Sequence, residues 1–214
     1  ISKNGLVKRI SLKEFRNINK GGIIASKLKE DDKIVNVLVS NGIDDTLLVT
    51  HLGSAIRFSE FDIRLSGRSA SGVIGIRLES KDYVIGGLTI PMKFDSEGDT
   101  ITADKDLTMM TVTSNGWGKR TAVEEYLVAP VDGGKQRQQS RGGKGRMDIS
   151  LEKKVGKSIG VIPLKNDNDI VVITKQGQMV RVSASDISIL NRGTSGSRLI
   201  KLTDGDEVIS ASPV

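Results

Sequence analysis

The chain has 214 residues, 32 basic and 26 acidic side chains for a net charge of +6, and 37% hydrophobic residues, enough for a packed core. It has no cysteine, which excludes a disulfide framework and cysteine-ligated zinc and fits a reducing cytoplasm. No apolar run reaches the roughly 20 residues that span a bilayer, so no membrane partner is expected, and no secretory leader opens at Ile1. The chain does not begin with Met, and its first repeat lacks a strand before its hairpin. It reads as a piece of a longer protein.

A phrase of hairpin character recurs four times, anchored on Gly5, Gly53, Gly116 and Gly177 at spacings of 48, 63 and 61 residues. In each copy the residue four places on is arginine: Arg9, Arg57, Arg120 and Arg181. A second phrase runs six residues from glycine to leucine: Gly22–Leu28, Gly72–Leu78, Gly145–Leu151 and Gly196–Leu202. In three copies an acidic residue follows four later, at Asp32, Asp82 and Asp206, and then an apolar strand. Each unit therefore reads as about four strands. Four short strands cannot bury both faces alone, so neighbours must stack or ring up. The expectation is one all-β domain over 1–214, with repeats of about 1–41, 42–104, 105–166 and 167–214.

In repeat one, Phe15 is expected to close a second strand, and Lys8 and Arg9 are either phosphate contacts or edge-strand charges. Repeat two contains His51, the only histidine, without partners for a triad or metal site; it reads as a turn-flanking residue. Arg57, Arg64, Arg68 and Arg77 are spread across this repeat. The loop Gly67–Gly72 is made of small residues that let a polyanion backbone approach, or it is an ordinary connection. In repeat three, Met109–Thr113 reads as a strand, and Asn115-Gly116 as a turn with positive φ at both residues. Trp117 reads as packing at that turn. Lys119 to Lys157 holds 10 basic and 5 acidic residues, and so +5 of the net charge. This excess points to a polyanionic partner or to a solvated surface. The connection from Gly116 to Gly145 is 29 residues long, its excess falling around Val131–Gln138. It ends in the glycine-rich stretch Gln139–Gly145, where Arg141 and Lys144 supply charge. No phosphate-binding P-loop frame fits. Repeat four predicts strands at Ile170–Thr174, Met179–Ser183 and Arg198–Leu202. Equivalent positions in stacked units fall on one rim. Arg9, Arg57, Arg120 and Arg181 are expected to form one ring of cations there, and Arg68, Arg141 and Arg192 a second.

The phrases Thr113–Tyr126, Gly72–Leu78 and Ser188–Leu202 resemble the C-terminal domain of the bacterial DNA gyrase A protein, over nearly the whole chain and in the right order. The ParC protein of topoisomerase IV carries a related domain. The resemblance implies a β-pinwheel, a propeller-like ring of four-stranded blades with strands exchanged between neighbours. It also implies a basic outer rim that wraps duplex DNA and guides strand passage to negative supercoils. Implied partners are double-stranded DNA, the remainder of gyrase A and the gyrase B protein. No cofactor and no metal are implied for this region. The family's cleavage tyrosine lies in an upstream domain, so Tyr83 and Tyr126 are expected to be structural and the chain to hold no catalytic residue. Members typically have six blades, against four here. The family's Gln-Arg-Arg-Gly-Gly-Lys-Gly box is matched at six of seven positions by Gln139–Gly145, but in the third repeat; this is read as a related loop. Expected DNA contacts are Lys8, Arg9, Arg57, Arg64, Arg68, Lys119, Arg120, Arg137, Arg141, Lys144, Arg146, Lys175, Arg181 and Arg192. The alternatives are the ParC domain and a propeller-type protein-interaction scaffold. Few aromatic residues (3%) argue against the scaffold.

Overall fold

The computed structural model describes residues 1–94, 101–129 and 134–214. Part of the expected excess at Val131–Gln138, residues 131–133, lies outside them. The described chain is all-β. Its strands are β1 (Leu6–Val7), β2 (Asp45–Thr50), β3 (Ser54–Ser59), β4 (Val73–Ile74), β5 (Val84–Ile90), β6 (Met92–Phe94), β7 (Ile101–Ala103) and β8 (Thr108–Thr113). They continue with β9 (Trp117–Ala122), β10 (Arg146–Met147), β11 (Ser158–Leu164), β12 (Asp169–Thr174), β13 (Met179–Ser183), β14 (Ser197–Arg198) and β15 (Val208–Pro213).

Sheets do not coincide with sequence repeats. One four-stranded sheet runs β10-β3-β2-β5 and another β11-β8-β9-β14. In each, three strands come from one repeat, and the outer strand is donated by the second phrase of the next. Likewise β4 of repeat two pairs antiparallel with β1 of repeat one. The fourth repeat forms the three-stranded sheet β13-β12-β15. The last strands of the units, β5, β11 and β15, pack on one another at the centre. With Asn36–Val39 of the first repeat they line a central cavity of about 400 Å³, to which all four repeats contribute. The donated strands β4, β10 and β14 therefore lie at the outside.

The hairpin turns explain the recurrence of glycine. Gly116 lies at φ +77°, and its N–H donates to Thr113 O at 3.1 Å. Asn115 is not at positive φ: among the described residues only Asp31 and Lys81 are non-glycine residues there. The turn is thus three residues long with glycine in the left-handed position, rather than the two-residue form expected. A hydroxyl three places before each glycine accepts the N–H just after it: Ser2 from Leu6, Thr50 from Ser54, Thr113 from Trp117 and Thr174 from Gln178, at 3.1–3.2 Å. The recurring acidic residues hold the turns from outside. The Asp32, Asp82 and Asp206 carboxylates accept the N–H groups of Asn4, Leu52 and Gln176 at 2.9–3.0 Å.

Strand-to-strand alternation places a core on each side of an inner blade. Leu47 and Val49 of β2 join Met109 of β8 in the core between repeats two and three. Leu48, between them, faces the core shared with repeat one, beside Val7, Phe58 and Ile76. Met110 and Val112 of β8 face repeat four. Both faces are buried, so these strands read as unbroken apolar runs rather than alternating ones. Residues 12–15 are not a strand end but a 3-10 turn, capped by the Ser11 side chain, which accepts the Lys13 N–H. Residues 33–39 show only an isolated bridge, Ser2 to Ile34, where a strand was expected.

A Cβ at Gly116 would lie 2.7 Å from Ile200 O, whereas one at Gly177 meets nothing within 4 Å. Both glycines have positive φ. Gly177→Ala is expected to cost about 1–2 kcal/mol from backbone conformation alone, and Gly116→Ala clearly more, because the strand donated by the next repeat must also shift. Urea denaturation of the two variants checks this order.

Candidate nucleic-acid interface

The two expected rings of arginine differ in kind. The arginine four places after the hairpin glycine turns inward wherever a following blade exists. Arg57 is 2% exposed; its Nε donates to Asp45 Oδ2 at 2.7 Å and its Nη1 to Val123 O at 2.8 Å, in the 3-10 turn of repeat three. Arg120 is 1% exposed, and its Nε donates to Thr108 Oγ1 at 2.9 Å and its Nη1 to Ala184 O at 2.7 Å, in the 3-10 turn of repeat four. Arg9 makes the same crossing to the Glu60 carboxylate at 3.3 Å. Arg181 in the fourth repeat pairs, among the described residues, with Asp169 of its own blade at 2.7 Å. Arg57 and Arg120 stitch blades together and do not face solvent, which corrects their assignment to a surface ring.

Lys119 is also misplaced by the sequence reading. It is fully buried; its Nζ donates to Asp148 O at 2.7 Å and Asn191 O at 2.9 Å, and lies 3.6 Å from Asp148 Oδ1. Asp148 in turn accepts from Thr111 Oγ1 at 2.7 Å and from the Tyr126 hydroxyl at 2.6 Å. Burial lowers the Lys119 pKa, partly offset by Asp148. Burial, and next the Asp148 charge, raise that of Tyr126 well above the ordinary phenol value. Tyr126 is thus a structural donor, as expected. Tyr83 stacks on His51 with ring centroids 4.5 Å apart, and the His51 Nδ1 lies 3.0 Å from Ser158 O. Trp117 is half-buried at its turn, with Lys154 and Arg198 over its ring.

The second ring lies outside. The glycine that opens each second phrase (Gly22, Gly72, Gly145, Gly196) is the exchange glycine; Arg68, Arg141 and Arg192, four places before the last three of these, sit on the loops leading into the outermost strands. Arg192 donates from Nε to Glu125 O at 2.7 Å and from Nη1 to Met147 O at 3.0 Å. Arg141 donates from Nε to Asp62 O at 2.9 Å and from Nη1 to Ile74 O. Arg68 donates from Nη1 to Ile24 O at 3.0 Å, and Lys8 Nζ donates to Arg68 O. All these acceptors are neutral carbonyls. Among the described residues no carboxylate forms an ion pair with Arg68, Arg141 or Arg192, so none of the three is neutralised by direct contact. Arg146 of β10 donates to Leu127 O at 2.6 Å; burial, then the nearby Arg192, lowers its pKa. Arg64 and Arg137 are exposed, Arg137 donating to Gln138 O at 3.2 Å. Lys144 and Lys175 are exposed but pair with Glu79 at 2.9 Å and Glu207 at 3.0 Å. Surface pairs of this kind are weak, and a phosphate can replace the carboxylate.

The division between seam and rim sets what each cation is worth to the fold. Arg57→Ala leaves Asp45 buried without its cation and is expected to cost about 3–5 kcal/mol, whereas Arg64→Ala is expected to stay within about 0.5 kcal/mol; chemical denaturation measures both. The raised Tyr126 pKa means that the folded chain keeps a proton that the unfolded chain loses near 10.0. Its stabilisation is complete below that pH and declines above it. Tyr126→Phe should lower stability at neutral pH and flatten the decline between about pH 9 and 11, read from urea midpoints across that range.

Comparison with known proteins bears on the same residues. The family model described as DNA gyrase C-terminal domain, beta-propeller matches residues 1–41, 44–91, 108–129, 137–165 and 168–214. The chain is 37% identical over 210 residues to the DNA gyrase A protein of Haloquadratum walsbyi, covering 98% of this chain and 22% of that protein. It is 38% identical over 213 residues to the DNA gyrase A protein of Staphylococcus epidermidis, covering 100% and 22%. The chain thus spans about a fifth of the length of these relatives. Among solved structures, the DNA gyrase A C-terminal domain superposes with a TM-score of 0.77 at 23% identity, covering 99% of this chain and 63% of that one. The C-terminal domain of DNA topoisomerase IV superposes at 0.82 and 24%, covering 100% and 60%. The chain belongs to the DNA gyrase C-terminal domain family.

Proposed function

We propose that this chain is the DNA-binding and DNA-wrapping domain of a gyrase A protein, in an ATP-dependent type II topoisomerase of the cytoplasm. One observation carries the reading: Arg68, Arg141 and Arg192 recur at one outer position in repeats two, three and four, held in place and, among the described residues, without a carboxylate partner. A polyanion following this edge meets one of these cations at three of the four repeats. Phosphate contacts of this kind supply affinity without reading bases, and bending the duplex is offset by the further contacts it permits. Arg64, Arg137, Arg146, Lys8 and Lys144 extend the track; Lys175 and Arg181, whose carboxylate partners are partly exposed, join it by exchanging them for phosphate, whereas Arg9 stays in the seam with the buried Glu60.

In this reading residues 1–214 act as one unit, and the remainder of gyrase A together with the gyrase B protein supplies cleavage and ATP hydrolysis. Binding requires no cofactor. The identities of 37–38% to gyrase A proteins favour this parent over topoisomerase IV, since the likeness to the latter at 24% identity speaks for the fold alone.

The test is the affinity for a linear duplex measured against salt. Log K is expected to fall steeply and linearly with log salt, each neutralised phosphate contributing about −0.9 to the slope. Arg64→Ala and Lys144→Ala, whose side chains make no backbone bond among the described residues, should each reduce the slope by about 1 with no change in melting temperature. A flat salt dependence of the unaltered chain would remove the reading.

A further inference from the structure

We propose that the arginine four places before each of Gly72, Gly145 and Gly196 is a positioning residue: it sets the spacing between consecutive outer strands, and with it the curvature of the rim on which the wrapping reading above rests. The bonds obey one rule. Arg68, Arg141 and Arg192 each donate from Nη1 to the carbonyl two places after the preceding repeat's exchange glycine, namely Ile24, Ile74 and Met147. At two junctions Nε also reaches the third residue of the preceding repeat's 3-10 turn, Asp62 or Glu125. One guanidinium thus ties together a loop, the neighbouring outer strand and the turn beneath it. Its planar fork can serve two acceptors in fixed directions while further N–H groups remain for a phosphate; an ammonium is a point charge without that geometry.

The backbone beside each doubled tie is ordered in the same way. Gly142 N donates to Gly75 O at 2.8 Å and Arg77 N to Gly143 O at 2.8 Å. One junction on, Gly193 N donates to Asp148 O at 2.6 Å and Ser150 N to Thr194 O at 3.1 Å. Arg68 has only the single tie, its Nε is buried without a partner, and no such ladder accompanies it among the described residues. The first junction is therefore the loosest and the later two are braced. Since the acceptors are neutral, the brace leaves the full charge on the rim, so one side chain both shapes the track and supplies its attraction.

Lysine substitution separates the two roles. In Arg141→Lys/Arg192→Lys the charge is retained. Amide hydrogen exchange at Arg77, Gly142, Ser150 and Gly193 is expected to quicken by at least about tenfold, the salt slope for duplex binding to stay as in the unaltered chain, and duplex bending, read as end-to-end energy transfer, to fall. Arg68→Lys should change exchange far less, and Arg64→Lys not at all. Unchanged exchange at those four amides in the folded double variant would overturn the proposal; the single Arg192→Lys variant, read at Ser150 and Gly193, decides if the double variant does not fold. Failure of the unaltered chain to bind or bend a duplex would remove the wrapping reading alone, because the exchange measurement tests the brace without DNA.

Discussion

Everything in this molecule depends on one carbonyl at each junction between repeats. The hairpin glycine turns its C=O outward and accepts two N–H groups from the next repeat's second phrase. Gly5 O accepts from Gly75 and Ile76, Gly53 O from Asp148 and Ile149, and Gly116 O from Leu199 and Ile200, the shorter bond 2.8 Å in each case. So close an approach leaves no room for a side chain: a Cβ on Gly5, Gly53 or Gly116 would lie 2.7–2.8 Å from the Ile76, Ile149 or Ile200 carbonyl oxygen. The two recurring phrases are thus the two halves of one contact, made between repeats rather than within them. A blade cannot complete its sheet alone, and the cores lie between blades for the same reason.

That arrangement sorts the cations. A side chain four residues past the hairpin glycine points to the seam between blades, where its charge is tolerable only with fixed partners. Arg57 finds Asp45 and a carbonyl. Arg120 has Thr108 where Arg57 has Asp45, and its Nη2 is buried without a hydrogen-bond partner. The arginine before the exchange glycine lies instead on a connecting loop at the periphery. There carbonyls orient it without neutralising it. Where blades meet, the two arginine series therefore end in opposite environments, Arg9, Arg57 and Arg120 in the seams and Arg68, Arg141 and Arg192 on the rim.

The resemblance to the gyrase family and the all-β repeat were legible in the chain because turns are local. Glycine in a left-handed turn, a hydroxyl three places before it and an acidic residue that holds the turn recur with little dependence on the rest of the fold. The hydroxyls Ser2, Thr50, Thr113 and Thr174 stand at a constant spacing to glycine, a signal for the same turns that following glycine and arginine alone passes over. The incomplete strand at 33–39 and the 3-10 turn at 12–15 were not legible, since strand formation needs a partner and a turn competes with it wherever none is offered.

By itself, then, the sequence determined the repeat, the hairpins and the number of candidate cations, all set by neighbouring residues along the chain. Only the tertiary structure decided which arginines meet solvent. Burial is a property of the seam formed with the next repeat, some 60 residues away in the cases of Arg57 to Val123 and Arg120 to Ala184, and no spacing within one repeat records which face that neighbour will cover.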